Sequence, residues 1–183
     1  QTFQAIVRPT VTEASLPAGL KDGINFNTTD ATKATLVLYA PGKDFIHVIG
    51  DFNNWQIDNA YLLNKDTTTD RFWIELTGLT SLQNHTYQYL IEAELRIADP
   101  YSTIVLTASN DQYINNTTYP DLPVYPTGKT NHSVNLLKTG ETEYDWQTTS
   151  FTKPKKTDLV IYELLIRDFD ALHSFDAVKE RLD

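Results

Sequence analysis

Short runs of alternating apolar and polar residues, separated by turn-forming residues, occupy most of the first hundred positions. The pattern is clear in residues 86–92, where Tyr87, Tyr89 and Ile91 fall on one side of an extended chain. Because successive side chains of a strand point to opposite faces, this period of two predicts strands with one buried face. Further strands are predicted at residues 23–26, 34–40, 45–49, 61–63, 71–76, 95–98 and 134–137. Short strands at this spacing predict an all-β sandwich of immunoglobulin size.

The chain is arranged around H-V-I-G-D-F-N-N-W at residues 47–55. The strand here ends at Gly50, and the Asp and Asn residues after it tolerate tight turns and hydrogen-bond their own backbone. Two large aromatic residues, Phe52 and Trp55, lie inside this polar turn. Such a turn either plugs one end of a sandwich or offers a flat face to a ligand, and the sequence leaves both alternatives open.

The last 25 or so residues differ in pattern from the rest. Residues 159–166, L-V-I-Y-E-L-L-I, are almost continuously apolar, which is typical of a parallel strand buried on both faces. Ser174 can cap a helix that begins at Phe175. A parallel strand followed by a helix is half of a βαβ unit, so we expect the polypeptide to be truncated just inside a second domain.

An apolar strand without its barrel is expected to find another partner, since fully burying each Leu or Ile contributes ~1.5–3 kcal/mol. We therefore expect residues 159–169 to pack on the sandwich or to pair with a neighbouring chain as a homodimer. The predicted domain organisation is an N-terminal arm (1–20), an immunoglobulin-like β-sandwich (21–108), a connector and linker (109–157), and the first βα unit of a truncated barrel (158–183).

Composition narrows the classes of partner. The chain has 183 residues, 40% of them hydrophobic, and a net charge of −9, which argues against nucleic acid and anionic membranes as partners. No apolar run approaches the ~18 residues of a membrane span, so membrane insertion is not expected. The absence of cysteine excludes disulfides and thiolate metal sites. The four histidines are too scattered for a metal-ligand spacing, so neither a metal nor a cofactor is expected in this chain.

Three motifs carry a resemblance to a known family: G-D-F-N-N-W at residues 50–55, T-Y-Q-Y-L-I at 86–91 and D-P-Y-S at 99–102. Together they resemble the N-terminal β-sandwich of α-amylase-superfamily enzymes, glycoside hydrolase family thirteen, and its relative, carbohydrate-binding module family forty-eight. L-V-I-Y-E-L-L-I-R-D-F at residues 159–169 resembles the first strand of the catalytic (β/α)8 barrel of these enzymes. The spacing of D-G-I-N-F at residues 22–26 and P-G-K-D-F at residues 41–45 is similar to that in the α-amylase-like proteins of Bacteroidetes.

The resemblance implies an accessory domain that mainly supports the catalytic barrel of an α-glucan-acting enzyme. Such enzymes cleave α-glucosidic bonds with two carboxylic groups ~5 Å apart, placed on later barrel strands. No catalytic residue is therefore assigned, and this chain alone is expected to be inactive. Asp168 would line the barrel's active-site face, or it would anchor a loop, with Arg167 as its partner. Calcium is implied only for the full-length enzyme, which is expected to be bacterial and periplasmic or secreted.

The resemblance also implies three candidate sugar contacts in the sandwich. The family tryptophan that stacks on sugar corresponds to Trp55, and a family lysine corresponds to Gln88. Leu95 or Arg96 falls where the second tryptophan would be, and Asn110 lies near a further contact position. Because half of the aromatic platform is missing, two hypotheses stand, a supporting domain and a functional starch- or glycogen-binding module. A weaker third hypothesis is an unrelated cell-surface immunoglobulin-like domain. Residues 99–101 are expected to close the sandwich and contact the barrel.

Overall fold

The computed structural model describes residues 8–148 and 150–182; residues 1–7 of the predicted arm, Thr149 and Asp183 lie outside the described residues. Nine strands and two short α-helices form within this part of the chain. The strands are β1 (Gly23–Phe26), β2 (Ala34–Tyr39), β3 (Ile46–Gly50), β4 (Asn64–Asp66), β5 (Arg71–Leu76), β6 (His85–Ile91), β7 (Leu95–Ile97), β8 (Val105–Leu106) and β9 (Val134–Leu137). The helices are α1 (Ile166–Phe169) and α2 (Phe175–Lys179).

Two antiparallel sheets form a sandwich. Sheet A has the strand order β1-β2-β5-β4, and sheet B has the order β3-β6-β9-β8, with β7 also paired to β6. Sheet A and the β3-β6-β9 part of sheet B reproduce the A-B-E-D and C-F-G strand orders of an immunoglobulin domain. The prediction of an all-β, immunoglobulin-like β-sandwich is therefore confirmed.

The core lies between the inward faces of the two sheets. The alternation in the sequence decides which residues it contains: Leu36 and Phe72 come from sheet A, while Tyr87 and Tyr89 come from sheet B, and all four are fully buried. Each such side chain stabilises the fold by about 1.5–3 kcal/mol relative to an exposed position. The face predicted for residues 86–92 thus points into the core, and the opposite face of β6 is buried as well.

Sheet B takes one of its strands from beyond the predicted boundary of the sandwich. One edge of β6 pairs with β3, while its other edge is shared by β9 at residues 85–87 and β7 at residues 89–91. The predicted boundary at residue 108 is therefore too early, because β9 begins at Val134. The proline-rich stretch before β9 hides this pairing in the sequence, since it carries no strand periodicity.

The strand predicted at residues 61–63 is displaced by three residues. Asn59–Tyr61 form a 3₁₀ turn, in which the Asp58 carboxylate accepts the Ala60 N–H at 2.9 Å, and β4 follows at Asn64–Asp66. The sequence of β4, N-K-D, has no apolar alternation, so this strand is defined by its pairing with β5 and with the N-terminal arm. Pairing across the sheet decides this strand, and a single-sequence pattern does not report it.

The apolar run at residues 159–165 forms no strand, which corrects the prediction of a first barrel strand. Val160 is 98% exposed, and Ile161 and Tyr162 are also exposed. A parallel strand needs hydrogen-bonding neighbours, and no strand among the described residues pairs with this run. These three residues are therefore not buried as expected, and pairing of the run with a second chain stays a prediction. α2 is confirmed, with the Ser174 hydroxyl accepting the Ala177 N–H at 3.2 Å.

We expect backbone amides at residues 160–162 to exchange with deuterium as fast as an unstructured peptide, because no backbone hydrogen bond of a strand protects them. Amides of β6 are expected to be protected, since both edges of that strand are paired. Hydrogen exchange followed by mass spectrometry at two protein concentrations measures this. Protection of residues 160–162 that rises with concentration would instead indicate pairing between chains.

Candidate functional site

The turn after β3 is held by the side chain of one asparagine. The Gly50 N–H donates to Asn53 Oδ1 at 2.9 Å, and Asn53 Nδ2 donates to the Val48 carbonyl at 2.9 Å. Asn54 and Trp55 then adopt left-handed backbone conformations, with φ of 54° and 62°. The Trp55 N–H donates a hydrogen bond to the Gly50 carbonyl at 2.8 Å. The tight turn expected from G-D-F-N-N-W is confirmed, and its geometry requires an amide side chain at position 53.

The turn and the loop that follows it line an open cleft of about 550 Å³. Two of its lining residues are aromatic: the rings of Phe52 and Tyr61 stack with centroids 5.2 Å apart and planes 22° apart. Asn54, Gln56 and Asn59 add amide groups to the lining. An aromatic surface beside amide donors and acceptors is the combination that binds a sugar ring and its hydroxyl groups.

Trp55 lies in the interior and does not line this cleft. Its side chain is only 7% exposed, and the cleft is formed by residues on either side of it in the sequence. Stacking on a pyranose requires an exposed ring face, and the Trp55 indole offers none in this structure. Its position fits the expectation of a plug at one end of a sandwich better than that of a flat ligand surface.

Gln88 is fully buried, and both ends of its amide are hydrogen-bonded. Its Nε2 donates to the Ser133 carbonyl at 2.8 Å, and its Oε1 accepts from the Thr130 hydroxyl at 3.1 Å. The hydroxyl of buried Tyr125 lies 2.9 Å from the Thr130 carbonyl, which fixes the same segment. Residues of the predicted connector therefore cover Gln88, on the side of β6 that faces away from the core.

Asn110 and Asp168, the other two predicted site residues, are both exposed. Asn110 is exposed beside Ser109 and does not line the cleft, so the structure brings none of the three predicted sugar contacts into it. Asp168 lies in the helical turn α1, where Arg167 Nε donates to its Oδ1 at 2.8 Å. This hydrogen bond with Arg167 lowers the pKa of Asp168 below its ordinary value. The pairing of Arg167 with Asp168 is confirmed.

Sequence reasoning missed the aromatic pair that lines the cleft. Phe52 was noticed as an aromatic residue inside a polar turn, but nothing in the sequence links it to Tyr61, nine positions later. The connection depends on the 3₁₀ turn at Asn59–Tyr61, whose only sequence signal is the capping Asp58. The Tyr61 hydroxyl also donates to the Phe52 carbonyl at 3.3 Å, which holds the two rings together.

His47 lies directly behind the cleft. Its ring is buried, its Nε2 is 3.5 Å from Asn59 Oδ1, and its Nδ1 has no hydrogen-bond partner among the described residues. Burial lowers the pKa of His47 below its ordinary value, since the charged imidazolium would be poorly solvated there, and this outweighs the hydrogen bond that the ring donates to Asn59 Oδ1. The imidazole is therefore neutral in the folded protein near neutral pH.

The His47 environment predicts a loss of stability in mild acid. Below about pH 6.5 the unfolded chain binds a proton that the folded chain binds only at lower pH, so the free energy of unfolding falls as pH falls through this window. Urea denaturation between about pH 7.5 and about pH 5.5 should show this fall, and His47→Gln should reduce it. His132→Gln, at an exposed position, is the matched control. Identical pH profiles for wild type and His47→Gln would contradict the prediction.

Within residues 8–148 and 150–182, no three His, Cys, Asp or Glu side chains converge in a way that could hold a metal ion. None of the helices in this part of the chain is long and apolar enough to cross a bilayer. The calcium expected for the catalytic part of a full-length enzyme stays a prediction.

Comparison with known proteins finds no matching family model and no matching curated protein. Among solved structures, the chain is similar to the pullulanase SAP of Group B Streptococcus, with 19% identity and a TM-score of 0.49 over 90% of this chain and 20% of that one. It is also similar to a Klebsiella pneumoniae pullulanase complexed with maltotriose, with 13% identity and a TM-score of 0.37 over 49% of this chain and 9% of that one. The chain thus spans a fifth or less of the length of these pullulanases.

Proposed function

We propose that this chain is an accessory β-sandwich region of an α-glucan-acting glycoside hydrolase, and that its main role is to support the catalytic barrel. The motifs at residues 50–55, 86–91 and 99–102 support the family, and one structural observation supports the role. Trp55 and Gln88, two of the three positions that the resemblance assigns to sugar, are both buried in the sandwich. The enzyme would be bacterial and periplasmic or secreted, with any calcium in its catalytic part.

The bonding of Gln88 is the reason for preferring support over binding. A sugar could reach the Gln88 amide only if the segment around Thr130 and Ser133 moved away, which would break two hydrogen bonds. Each such bond contributes about 1 kcal/mol net, and leaving a buried amide unsatisfied costs about 1–3 kcal/mol. A binding surface would have to recover this energy from sugar contacts, without an exposed Trp55 ring.

Tyr101 is the residue through which we propose that the sandwich contacts the barrel. It follows the buried Asp99, whose carboxylate accepts the Tyr101 N–H at 2.8 Å, and its side chain is half-exposed. A β-carbon built on Gly23 would lie 2.6 Å from Tyr101 Cβ, so this tyrosine is seated directly against β1. A firmly held, exposed aromatic side chain is suited to a domain interface.

The test of the proposed function uses the complete natural polypeptide and this chain in parallel. The complete polypeptide is expected to release reducing sugars from an α-glucan, and this chain alone is expected to release none. Tyr101→Ala is expected to shorten the thermal half-life of the complete enzyme while leaving kcat/KM on short maltooligosaccharides unchanged. Tyr39→Ala, at a half-exposed tyrosine on sheet A, is the control. A complete polypeptide without activity on any α-glucan would contradict the proposal.

A second candidate function is binding of starch or glycogen, and the cleft beside Trp55 is the observation that favours it. The stacked Phe52 and Tyr61 rings and the amides of Asn54 and Gln56 are suited to a glucan, even though none of the predicted contacts lines the cleft. Titration of the chain with maltoheptaose, followed by amide chemical shifts, tests this function. Shifts at residues 52–61 that Ile57→Ala removes would establish it, and their absence would exclude it.

A further inference from the structure

A second groove lies on the outer face of sheet A, with a volume of about 530 Å³. This volume is within the range of small-ligand sites, ~300–1,000 Å³. Its floor is a row of polar residues on three adjacent strands, in which Asn25 pairs with Thr35 and Thr35 pairs with Glu75. Because neighbouring strands are ~4.8 Å apart, the row presents its polar groups along a line of roughly 10 Å.

The remaining lining residues of the groove are aromatic and apolar. Trp73 is the next outward-facing residue of β5 before Glu75, and Phe26, the last residue of β1, is 52% exposed. Pro17 and Leu20 contribute from the N-terminal arm. The groove thus combines ring faces with hydroxyl, amide and carboxylate groups.

The indole of Trp73 is fixed before any ligand arrives. Its Nε1 donates to the Ala14 carbonyl at 3.1 Å, and the arm that carries Ala14 is itself attached to β4. The Ala14 N–H donates to the Lys65 carbonyl at 3.0 Å, and the Leu16 N–H donates to Asp66 Oδ2 at 2.8 Å. A ring held by a tethered arm loses little conformational freedom on binding, which favours affinity.

The polar groups on the floor differ in their availability. The Asn25 amide is engaged by the backbone N–H and carbonyl of Lys21, at 2.9 and 2.7 Å, so it shapes the groove. The Glu75 carboxylate is half-exposed, with Lys33 Nζ at 3.5 Å. Glu75 can therefore accept hydrogen bonds from a ligand, while Lys33 partly neutralises its charge.

These features select one class of ligand. An anion would be repelled by Glu75 and by the net charge of −9, and a purely apolar ligand would leave the polar floor unsatisfied. We propose that the groove binds a neutral oligosaccharide, with a sugar ring against Trp73 and Phe26 and hydroxyl groups on Glu75 and Thr35. The proposal rests on the proposed function only for the choice of an α-linked glucan as the first probe.

The experiment is a titration of the 15N-labelled, 183-residue chain with maltoheptaose, and separately with the β-linked cellohexaose. Saturable shifts are expected at the Trp73 indole N–H and at the amides of Thr35 and Glu75. Phe26→Ala and Glu75→Gln are expected to raise the Kd by about fivefold or more, as loss of an aromatic or charged contact does. Tyr39→Ala is the matched control, because Tyr39 is 51% exposed on the same face of sheet A and does not line the groove.

Each result has a distinct meaning. Binding of maltoheptaose with the expected shifts, lost in the groove variants and kept in Tyr39→Ala, supports the groove. Binding of cellohexaose alone also supports the groove and contradicts the α-glucan assignment. The absence of saturable shifts at Trp73 with either probe, or shifts confined to residues 52–61, overturns the groove, while the accessory role is decided separately by the Tyr101 experiment.

Discussion

Asp99→Ala is expected to lower the free energy of unfolding by about 3–5 kcal/mol, which is among the largest effects of a single substitution. Asp99 is buried, and its Oδ2 accepts the hydroxyl groups of Tyr87 at 3.0 Å and Tyr89 at 3.2 Å. Alanine would leave both hydroxyls buried without this acceptor, at a cost of about 1–3 kcal/mol each. The Tyr101 N–H would lose its acceptor as well.

The same network explains why this acid is retained inside the sandwich. Burial raises the pKa values of Tyr87 and Tyr89 well above their ordinary value, so both hydroxyls keep their protons and donate. Asn135 of β9 accepts the Asp99 N–H at 2.8 Å and donates to the Tyr87 carbonyl at 3.3 Å. Asp99 therefore joins the two central strands of sheet B to the corner that follows β7, as expected for residues that close the sandwich.

Two variants serve as controls for Asp99→Ala in urea denaturation. Tyr87→Phe removes one donor and keeps the acceptor, so a loss of about 1 kcal/mol is expected. Glu94→Ala, at an exposed glutamate, is expected to change the free energy of unfolding by no more than about 0.5 kcal/mol. A cost for Asp99→Ala no greater than that for Tyr87→Phe would contradict a shared acceptor.

Gly50→Ala is expected to cost about 3 kcal/mol, although the backbone at this position suits any residue. The φ of Gly50 is −170°, so no left-handed conformation requires glycine. The cost is steric, because a β-carbon at this position would lie 2.5 Å from the Thr86 carbonyl oxygen and 2.9 Å from Phe52 Cζ. Thr86 belongs to β6, which is paired on both sides and cannot move without breaking the ladder with β3.

Gly78→Ala separates this steric effect from backbone strain. Gly78 has a φ of +73° and open space where its β-carbon would be, so alanine there is expected to cost only about 1–2 kcal/mol. Urea denaturation of both variants gives the comparison. A larger cost for Gly78→Ala than for Gly50→Ala would contradict the close approach of β3, β6 and Phe52.

The strands that face the core with every second residue could be predicted from the sequence, because the core imposes the period of two that residues 86–92 show. β4 could not be located, since its N-K-D sequence is polar and its pairing with β5 and the N-terminal arm defines it. β9 was recognised as a strand, but its place in sheet B depends on a pairing with β6 across about 50 residues. Residues 159–165 show the opposite case, in which an apolar pattern is present but no strand in the part of the chain that the structure describes pairs with it.

The candidate site, too, could be predicted only in part, because it depends on contacts between residues that are far apart in the sequence. The residue types at Trp55 and Gln88 favoured a sugar contact or an internal role, and the sequence could not decide between these alternatives. The decision comes from residues more than forty positions later, where Thr130 and Ser133 cover the Gln88 amide. No sequence pattern indicated the groove beside Trp73. The groove depends on the N-terminal arm, which is attached to β4 and accepts a hydrogen bond from this tryptophan.

The most direct test of the central claim, that Gln88 stabilises the sandwich instead of binding sugar, measures two properties of Gln88→Ala. Loss of the amide leaves the Thr130 hydroxyl and the Ser133 carbonyl without this partner, so the free energy of unfolding is expected to fall by about 2 kcal/mol in urea denaturation. Maltoheptaose titration curves of the variant and the wild type are expected to coincide. Unchanged stability together with a loss of maltoheptaose affinity would contradict the account.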